Sequence, residues 1–74
     1  MIGERFHLKT PILAIMTQDV AKIPVIIPKG AEVEIIDGPL NGNRLLDVRW
    51  EGKTVMVFTN DIHDRCERLD SVGR

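Results

Sequence analysis

Two runs of alternating apolar and polar residues, at 44–50 and 53–58, flank the dipeptide Glu51-Gly52 and constrain this chain most. A period of two is the pattern of a β-strand with one buried face. A pair ending in glycine between two such runs fits a two-residue hairpin turn, because glycine adopts a positive φ without a steric penalty. The sequence therefore predicts an antiparallel hairpin, whose apolar face carries Leu46, Val48, Trp50, Val55 and Val57.

Three further segments upstream predict strands. Residues 12–17 and 23–27 are apolar runs of strand length, and the polar residues 18–22 between them indicate the turn of a long hairpin. Pro24 limits the second run to an edge strand or a strand end, because proline cannot donate a ladder hydrogen bond. After a Pro-Lys-Gly turn signal, residues 31–37 alternate again.

Size and composition limit the core. The chain has 74 residues, of which 43% are hydrophobic and only 4% aromatic, so we expect one small domain with an aliphatic core rich in β-branched side chains. The single cysteine excludes an internal disulfide and predicts a reduced, cytoplasmic setting. No apolar run approaches the ~18 residues of a membrane span and no signal-peptide pattern opens the chain, so we expect neither membrane insertion nor secretion.

The near-neutral charge makes nucleic-acid binding an unfavoured alternative. The net charge is −1 and the isoelectric point about 6.1, whereas nucleic-acid-binding domains concentrate basic residues on one surface. The alternative requires five basic residues to cluster on one face: Arg44, Arg49, Lys53, Arg65 and Arg68.

The last segment has two interpretations. Ile62, Cys66 and Leu69 lie at the spacing of one helical stripe. Alternatively, residues 60–64 form a 3₁₀ turn and residues 65–69 form a final strand. We favour the second interpretation, because a final strand would pair with an otherwise open sheet edge.

The order of these elements resembles the SH3-like small barrel. In that family a long hairpin, here residues 12–27, forms the RT loop; residues 38–43 would be the n-Src loop, and Glu51-Gly52 the distal turn. Residues 28–35, which read Pro-Lys-Gly-Ala-Glu-Val-Glu-Ile, resemble the Lys-Gly-x-x-Val segment of bacterial SH3-like domains. Residues 58–62 resemble the family's 3₁₀ motif Pro-Ser-Asn-Tyr-Val, with loose matches at Thr59, Asn60 and Ile62.

This resemblance implies an all-β fold, an SH3-like small barrel of five to six short antiparallel strands with one 3₁₀ turn. It covers residues 10–70. Residues 1–9 are then an irregular N-terminal arm, and residues 71–74 a C-terminal tail.

The aromatic residues that SH3 domains use for proline-rich peptides are replaced here. Residues 12–16 read Ile-Leu-Ala-Ile-Met where those domains carry Ala-Leu-Tyr-Asp-Tyr, Asn43 or Arg44 stands at the place of the groove tryptophan, and Asp61 replaces the 3₁₀ tyrosine. Polyproline recognition needs an aromatic-lined groove. We therefore expect no binding of polyproline peptides.

Candidate catalytic and metal-binding residues are few. His63 and Cys66 are three apart with Asp61 nearby, but a zinc site needs four ligands in recognisable pairs. A nucleophilic Cys66 would need His63 or His7 as a base, together with an orienting group and an oxyanion site. We expect no enzymatic activity, no metal and no cofactor, with Cys66 packed as a small hydrophobic residue.

The first hairpin is apolar on both faces, although a strand of a small barrel needs only one buried face. The second face must be covered by the N-terminal arm, another subunit or a partner, since an exposed apolar patch usually marks an interface. Periodicity favours a core position for Trp50 over an exposed binding anchor. The candidate interaction residues are Leu13, Ile15, Ile23, Val25 and Ile26.

These observations predict a non-catalytic protein-interaction module that forms a homo-oligomer or docks to another protein through the first hairpin. Two alternatives stay open. One is a nucleic-acid-binding small barrel. The other is a small subunit or effector-sensing module of an enzyme complex, which an aliphatic pocket would favour.

Overall fold

A computed structural model describes residues 2–38 and 44–69, which form one antiparallel sheet and a short helix. The strands are β1 (Arg5–Leu8), β2 (Ile12–Gln18), β3 (Ala21–Ile27), β4 (Glu32–Asp37), β5 (Leu45–Trp50), β6 (Lys53–Phe58) and β7 (Cys66–Arg68), and helix α1 spans Thr59–Arg65. Their order in the sheet is β3-β2-β6-β5-β4-β1-β7. The all-β prediction is confirmed. The described sheet has seven strands rather than five or six, and it is not closed into a barrel.

The buried side chains come from one face of the sheet and from α1. Directly paired residues point to the same face, and the register pairs buried residues with one another, as in Ala14 with Val57 and Val48 with Val55. No polar or charged side chain among the described residues is buried. The core is therefore apolar and, apart from Phe6 and Cys66, aliphatic as predicted; it consists of Phe6, Leu8, Ile12, Ala14, Ile27, Val33, Ile35, Leu46, Val48, Val55, Val57, Ile62 and Cys66.

The β5–β6 hairpin has the predicted two-residue turn. Trp50 pairs with Lys53, and the intervening Glu51 and Gly52 have φ values of 52° and 75°. Two positive φ values in a two-residue loop indicate a type I′ turn, whose twist matches that of the flanking strands. Trp50 is half-buried against the core, in agreement with its periodicity, and the Lys53 Nζ lies 5.1 Å from the centroid of its ring.

Residues 5–8 form β1, although residues 1–9 were expected to be an irregular arm. β1 lies between β4 and β7, with Phe6 opposite Val33 and Leu8 opposite Cys66. Phe6 and Leu8 are both buried. Two neighbouring strands thus supply hydrogen bonds and a core contact for a segment too short to show a period by itself.

The segment after β6 is a helix followed by a strand. The predicted final strand is confirmed as β7, which pairs with β1. The predicted 3₁₀ turn is instead a seven-residue α-helix, α1. Asp61 Oδ1 and Arg65 Nε lie 3.2 Å apart across one helical turn, and Ile62 is buried, which favours the α geometry. The expected tail at 71–74 and most of the expected n-Src-like loop, residues 39–43, lie outside the described residues.

The β5–β6 turn yields a test of the fold. Alanine at Gly52 would meet no neighbouring atom within 4 Å, so its cost arises from the positive φ alone. We expect Gly52→Ala to lower the free energy of unfolding by about 1 kcal/mol, and Glu51→Asn to raise it slightly, because asparagine tolerates this conformation better than glutamate. Urea unfolding followed by Trp50 fluorescence measures both. Equal stability of Gly52→Ala and the parent protein would contradict the type I′ turn.

Candidate functional site

The face of the sheet opposite the core has a charged half, formed by β4, β1, β7 and the end of β5. Arg5 Nη1 lies 3.3 Å from Glu32 Oε2, and Arg49 Nη1 lies 3.5 Å from Glu34 Oε1. His7 Nε2 lies 3.7 Å from an oxygen of Glu67 on β7. Most of these charges are thus matched by an opposite charge on the neighbouring strand.

The other half of this outer face is apolar and spans β3, β2, β6 and the start of β5. The register places Leu13 opposite Ile26, Ile15 opposite Met56, and Leu45 opposite Phe58. Ile26, Leu13 and Phe58 are 60%, 41% and 38% exposed, although each is a large hydrophobic side chain. We refer to these residues as the apolar patch: Leu13, Ile15, Ile26, Leu45, Met56 and Phe58.

Three of the five predicted interaction residues belong to the apolar patch. Leu13, Ile15 and Ile26 lie on it together. Ile23 and Val25 instead point to the core side, opposite Met16 and Ala14, and Val25 packs against the core. All five are apolar residues of the same hairpin, and apolar composition alone does not divide them between its two faces.

Leu45, Met56 and Phe58 complete the patch and were missed by sequence reasoning. Alternation along β5 and β6 marks all three as outward positions, so the signal was present in the sequence. What the sequence does not reveal is that β6 is the neighbour of β2, which joins these residues to Leu13 and Ile15.

An open groove of about 400 Å³ adjoins the apolar patch. Ile15 and Met56 form part of its floor, and Thr17 and Thr54 contribute hydroxyl groups. Lys22 on β3 and Asp47 on β5 line it from opposite sides, and Val55 completes the lining. The groove thus carries a positive charge at one side and a negative charge at the other.

Cys66 is unsuited to nucleophilic chemistry. Its side chain is 6% exposed, opposite Leu8 of β1. The pKa of the Cys66 thiol is raised to about 11, chiefly by burial and also by the nearby negative charge of Asp61, while the positive charge of Lys9 acts in the opposite direction. A thiol with this pKa is protonated at neutral pH, whereas the reactive form is the thiolate. Of the two candidate bases, His63 is exposed on α1, and His7 lies on β1 with its Nε2 3.7 Å from an oxygen of Glu67.

Metal ligands do not converge in the described ranges 2–38 and 44–69, where no three His, Cys, Asp or Glu residues are grouped to hold an ion.

Of the basic residues that nucleic-acid binding would require, Arg49, Lys53, Arg65 and Arg68 each lie within 4.0 Å of a carboxylate oxygen of the same chain. Their charges are locally compensated rather than gathered into a basic surface.

Comparisons with protein-family models, curated proteins and solved structures find no match to this chain. Among the described residues, no helix has the length and apolar character that crossing a membrane requires.

The pKa of Cys66 predicts the pH dependence of stability. The pKa is raised from 9.0 to about 11 in the folded protein, so the folded state holds the thiol proton more tightly than the unfolded state. This stabilisation is complete below pH 9 and is lost as the pH rises toward 11. We expect the free energy of unfolding to fall between pH 9 and 11, and to fall less in Cys66→Ala.

Urea titrations of both proteins at each pH measure the difference, and labelling of the native thiol with a disulfide reagent provides a second readout. Rapid labelling of the folded protein at pH 8 would contradict the burial of this thiol.

Proposed function

We propose that this chain is a non-catalytic protein-interaction module that self-associates through the apolar patch. The supporting observation is that the sheet has apolar side chains on both faces, the core on one and the apolar patch on the other. The core-side residues form a buried apolar cluster to which Leu13, Ile26 and Phe58 do not belong. Large side chains grouped on an exposed face lose unfavourable contact with water when another protein covers them, at about 1.5–3 kcal/mol for each that becomes fully buried.

An SH3-like architecture is part of this proposal. The long β2–β3 hairpin precedes the β4–β5–β6 meander, and a helical turn leads into β7, which pairs with β1. This succession is similar to the one that the resemblance implies, but a four-residue first strand is added, an α-helix replaces the 3₁₀ turn, and the sheet is open.

The charged half of the outer face favours association through the patch. Its Arg–Glu pairs satisfy one another within the chain, so a partner that covered them would have to compete with existing ion pairs and remove their hydration. Covering the apolar patch requires no ion pair to be broken or dehydrated.

Pro24 further favours association through the face over association through the sheet edge. β3 is one of the two edge strands of the described sheet, and its two-residue loop to β2 is closed by Gln18 and Ala21. In an antiparallel hairpin of this kind the closing pair is hydrogen-bonded and the pattern alternates, so Lys22, Pro24 and Ile26 direct their backbone groups to the open edge. Pro24 has no N–H to offer there, which interrupts the edge as a template for another strand.

The proposed contact is tested by placing a charge on the patch. We expect Leu13→Glu and Ile26→Lys each to raise the dissociation constant of the self-association by ~100-fold or more, because the introduced charge must be buried without a partner. Sedimentation equilibrium from low to high micromolar concentration measures this. Val20→Glu is the control, since Val20 is 97% exposed at the tip of the hairpin, outside the patch.

Melting curves of the variants establish that they fold. Sedimentation of the parent protein as a single 8.4 kDa species at high micromolar concentration would overturn self-association. If Val20→Glu weakens self-association as much as Leu13→Glu does, the apolar patch is not the contact surface.

Substitution of Pro24 tests the role of the edge. We expect Pro24→Val, which keeps an apolar side chain but restores the N–H, to form larger assemblies that bind an amyloid-type dye and scatter light. Pro11→Val is the control, because Pro11 precedes β2, an interior strand. If Pro24→Val associates as the parent protein does, the proline does not protect the edge.

A further inference from the structure

Lys22 and Asp47 are the charged residues of the groove beside the apolar patch. They lie on β3 and β5, two strands that are separated by three strand spacings, or roughly 14 Å, in the sheet. Neither has an oppositely charged side-chain group within 4.0 Å among the described residues, whereas most charges of the outer face's other half are paired.

The surroundings of Asp47 increase its need for a cation. After a register irregularity between Ile35 and Asp37, Asp37 of β4 pairs with Asp47, and like charges on neighbouring strands are unfavourable. Arg49, the nearest cation along β5, lies 3.5 Å from Glu34 instead. A positive group from outside the chain would therefore be favoured beside Asp47.

The arrangement of the patch is self-complementary about one twofold axis. An axis lying in the plane of the outer face between β2 and β6, parallel to the strands, would place β2 of one copy over β6 of the other, and β3 over β5. Ile15 would then meet Met56 of the second copy, and Ile26 would meet its Leu45. All four side chains are apolar, and the twofold symmetry repeats each of these contacts.

This operation also brings the two charges of the groove together. Lys22 would lie over β5 of the second copy, level with Arg49, whose charge is already paired with Glu34, and one pleat repeat from Asp47, which is unpaired among the described residues and lies roughly 7 Å along the strand. A lysine side chain spans a distance of this order, and its methylene groups would pack over the apolar floor of the groove while the ammonium group reaches the carboxylate.

We infer that the partner of the apolar patch is a second copy of this chain, held in a twofold arrangement in which Lys22 of each copy pairs with Asp47 of the other. The inference rests on the proposed function and adds to it the identity and orientation of the partner. The apolar patch supplies the attraction, and the two ion pairs set the orientation, since electrostatic complementarity contributes more to specificity than to affinity.

Complementary charge variants test this arrangement. In a dimer of Lys22→Glu, the introduced glutamate would face Asp47 twice, and in a dimer of Asp47→Lys, the introduced lysine would face Lys22 twice. We expect each variant alone to dimerise about tenfold more weakly than the parent protein, because like charges juxtaposed across an interface are unfavourable. A 1:1 mixture of the two variants removes this repulsion, because one of its two charge contacts joins the introduced lysine to the introduced glutamate and the other joins the native Lys22 to the native Asp47. We therefore expect the heterodimer to form with an affinity near that of the parent.

The double variant Lys22→Glu/Asp47→Lys likewise contains two matched pairs and is expected to dimerise within about threefold of the parent protein. Native mass spectrometry distinguishes homodimers from heterodimers by mass, and sedimentation gives the dissociation constants at low and high salt. The matched control mixes Lys29→Glu with Asp64→Lys, which carry the same charge changes on exposed residues outside the patch. Melting temperatures exclude unfolding as the cause of any loss.

The outcomes separate this inference from the proposed function. If Leu13→Glu dissociates the dimer but the mixture of charge variants shows no preference for the heterodimer, the patch is the contact and the twofold arrangement is wrong. If the parent protein is monomeric at all concentrations, both self-association and this arrangement are overturned. Heterodimer preference in the control mixture would also overturn it, because general charge attraction would then explain the result.

Discussion

The pairing of β2 with β6 is the interaction on which the rest of the structure depends. It joins the β2–β3 hairpin to the five remaining strands, with Ala14 opposite Val57 and Ile15 opposite Met56. Because side chains alternate along each strand, this one pairing has two effects. It places Ala14 and Val57 in the core, both fully buried, and it brings Ile15 and Met56 together on the outer face. The core and the apolar patch therefore lie on opposite faces of the sheet at this β2–β6 pairing, which we call the β2–β6 seam.

The elements that depend on local patterns could be predicted from the sequence, and those that depend on distant partners could not. The β5–β6 hairpin follows from alternation around Glu51-Gly52, since the turn residues and the strands they join are adjacent in the chain. β1 was missed because its four residues become a strand only through β4 and β7, which come from residues 32–37 and 66–68. The helix type of α1 was also missed, because the burial of Ile62 depends on the tertiary structure.

The candidate surface shows the same limit. The apolar excess of the first hairpin was visible in the sequence, and Leu13, Ile15 and Ile26 were identified from it. Its division between two faces follows from the register, which pairs Leu13 with Ile26 on the outside and Ala14 with Val25 toward the core. The contribution of Phe58 depends on the β2–β6 seam, for which the sequence contains no signal.

Because the patch lies across this seam, the proposed association would be coupled to folding. Its residues come from β3, β2, β6 and β5, so a partner that covers them contacts both sides of the junction that joins the hairpin to the meander. Separation of the hairpin from β6 would break the patch, and a partner that binds only the intact patch stabilises the joined state by mass action. A chain of 74 residues buries a small fraction of its surface compared with larger domains and has no disulfide to compensate. If two copies meet through the patch as proposed, apolar residues that add nothing to the core of one copy would strengthen the long-range junction between β2 and β6.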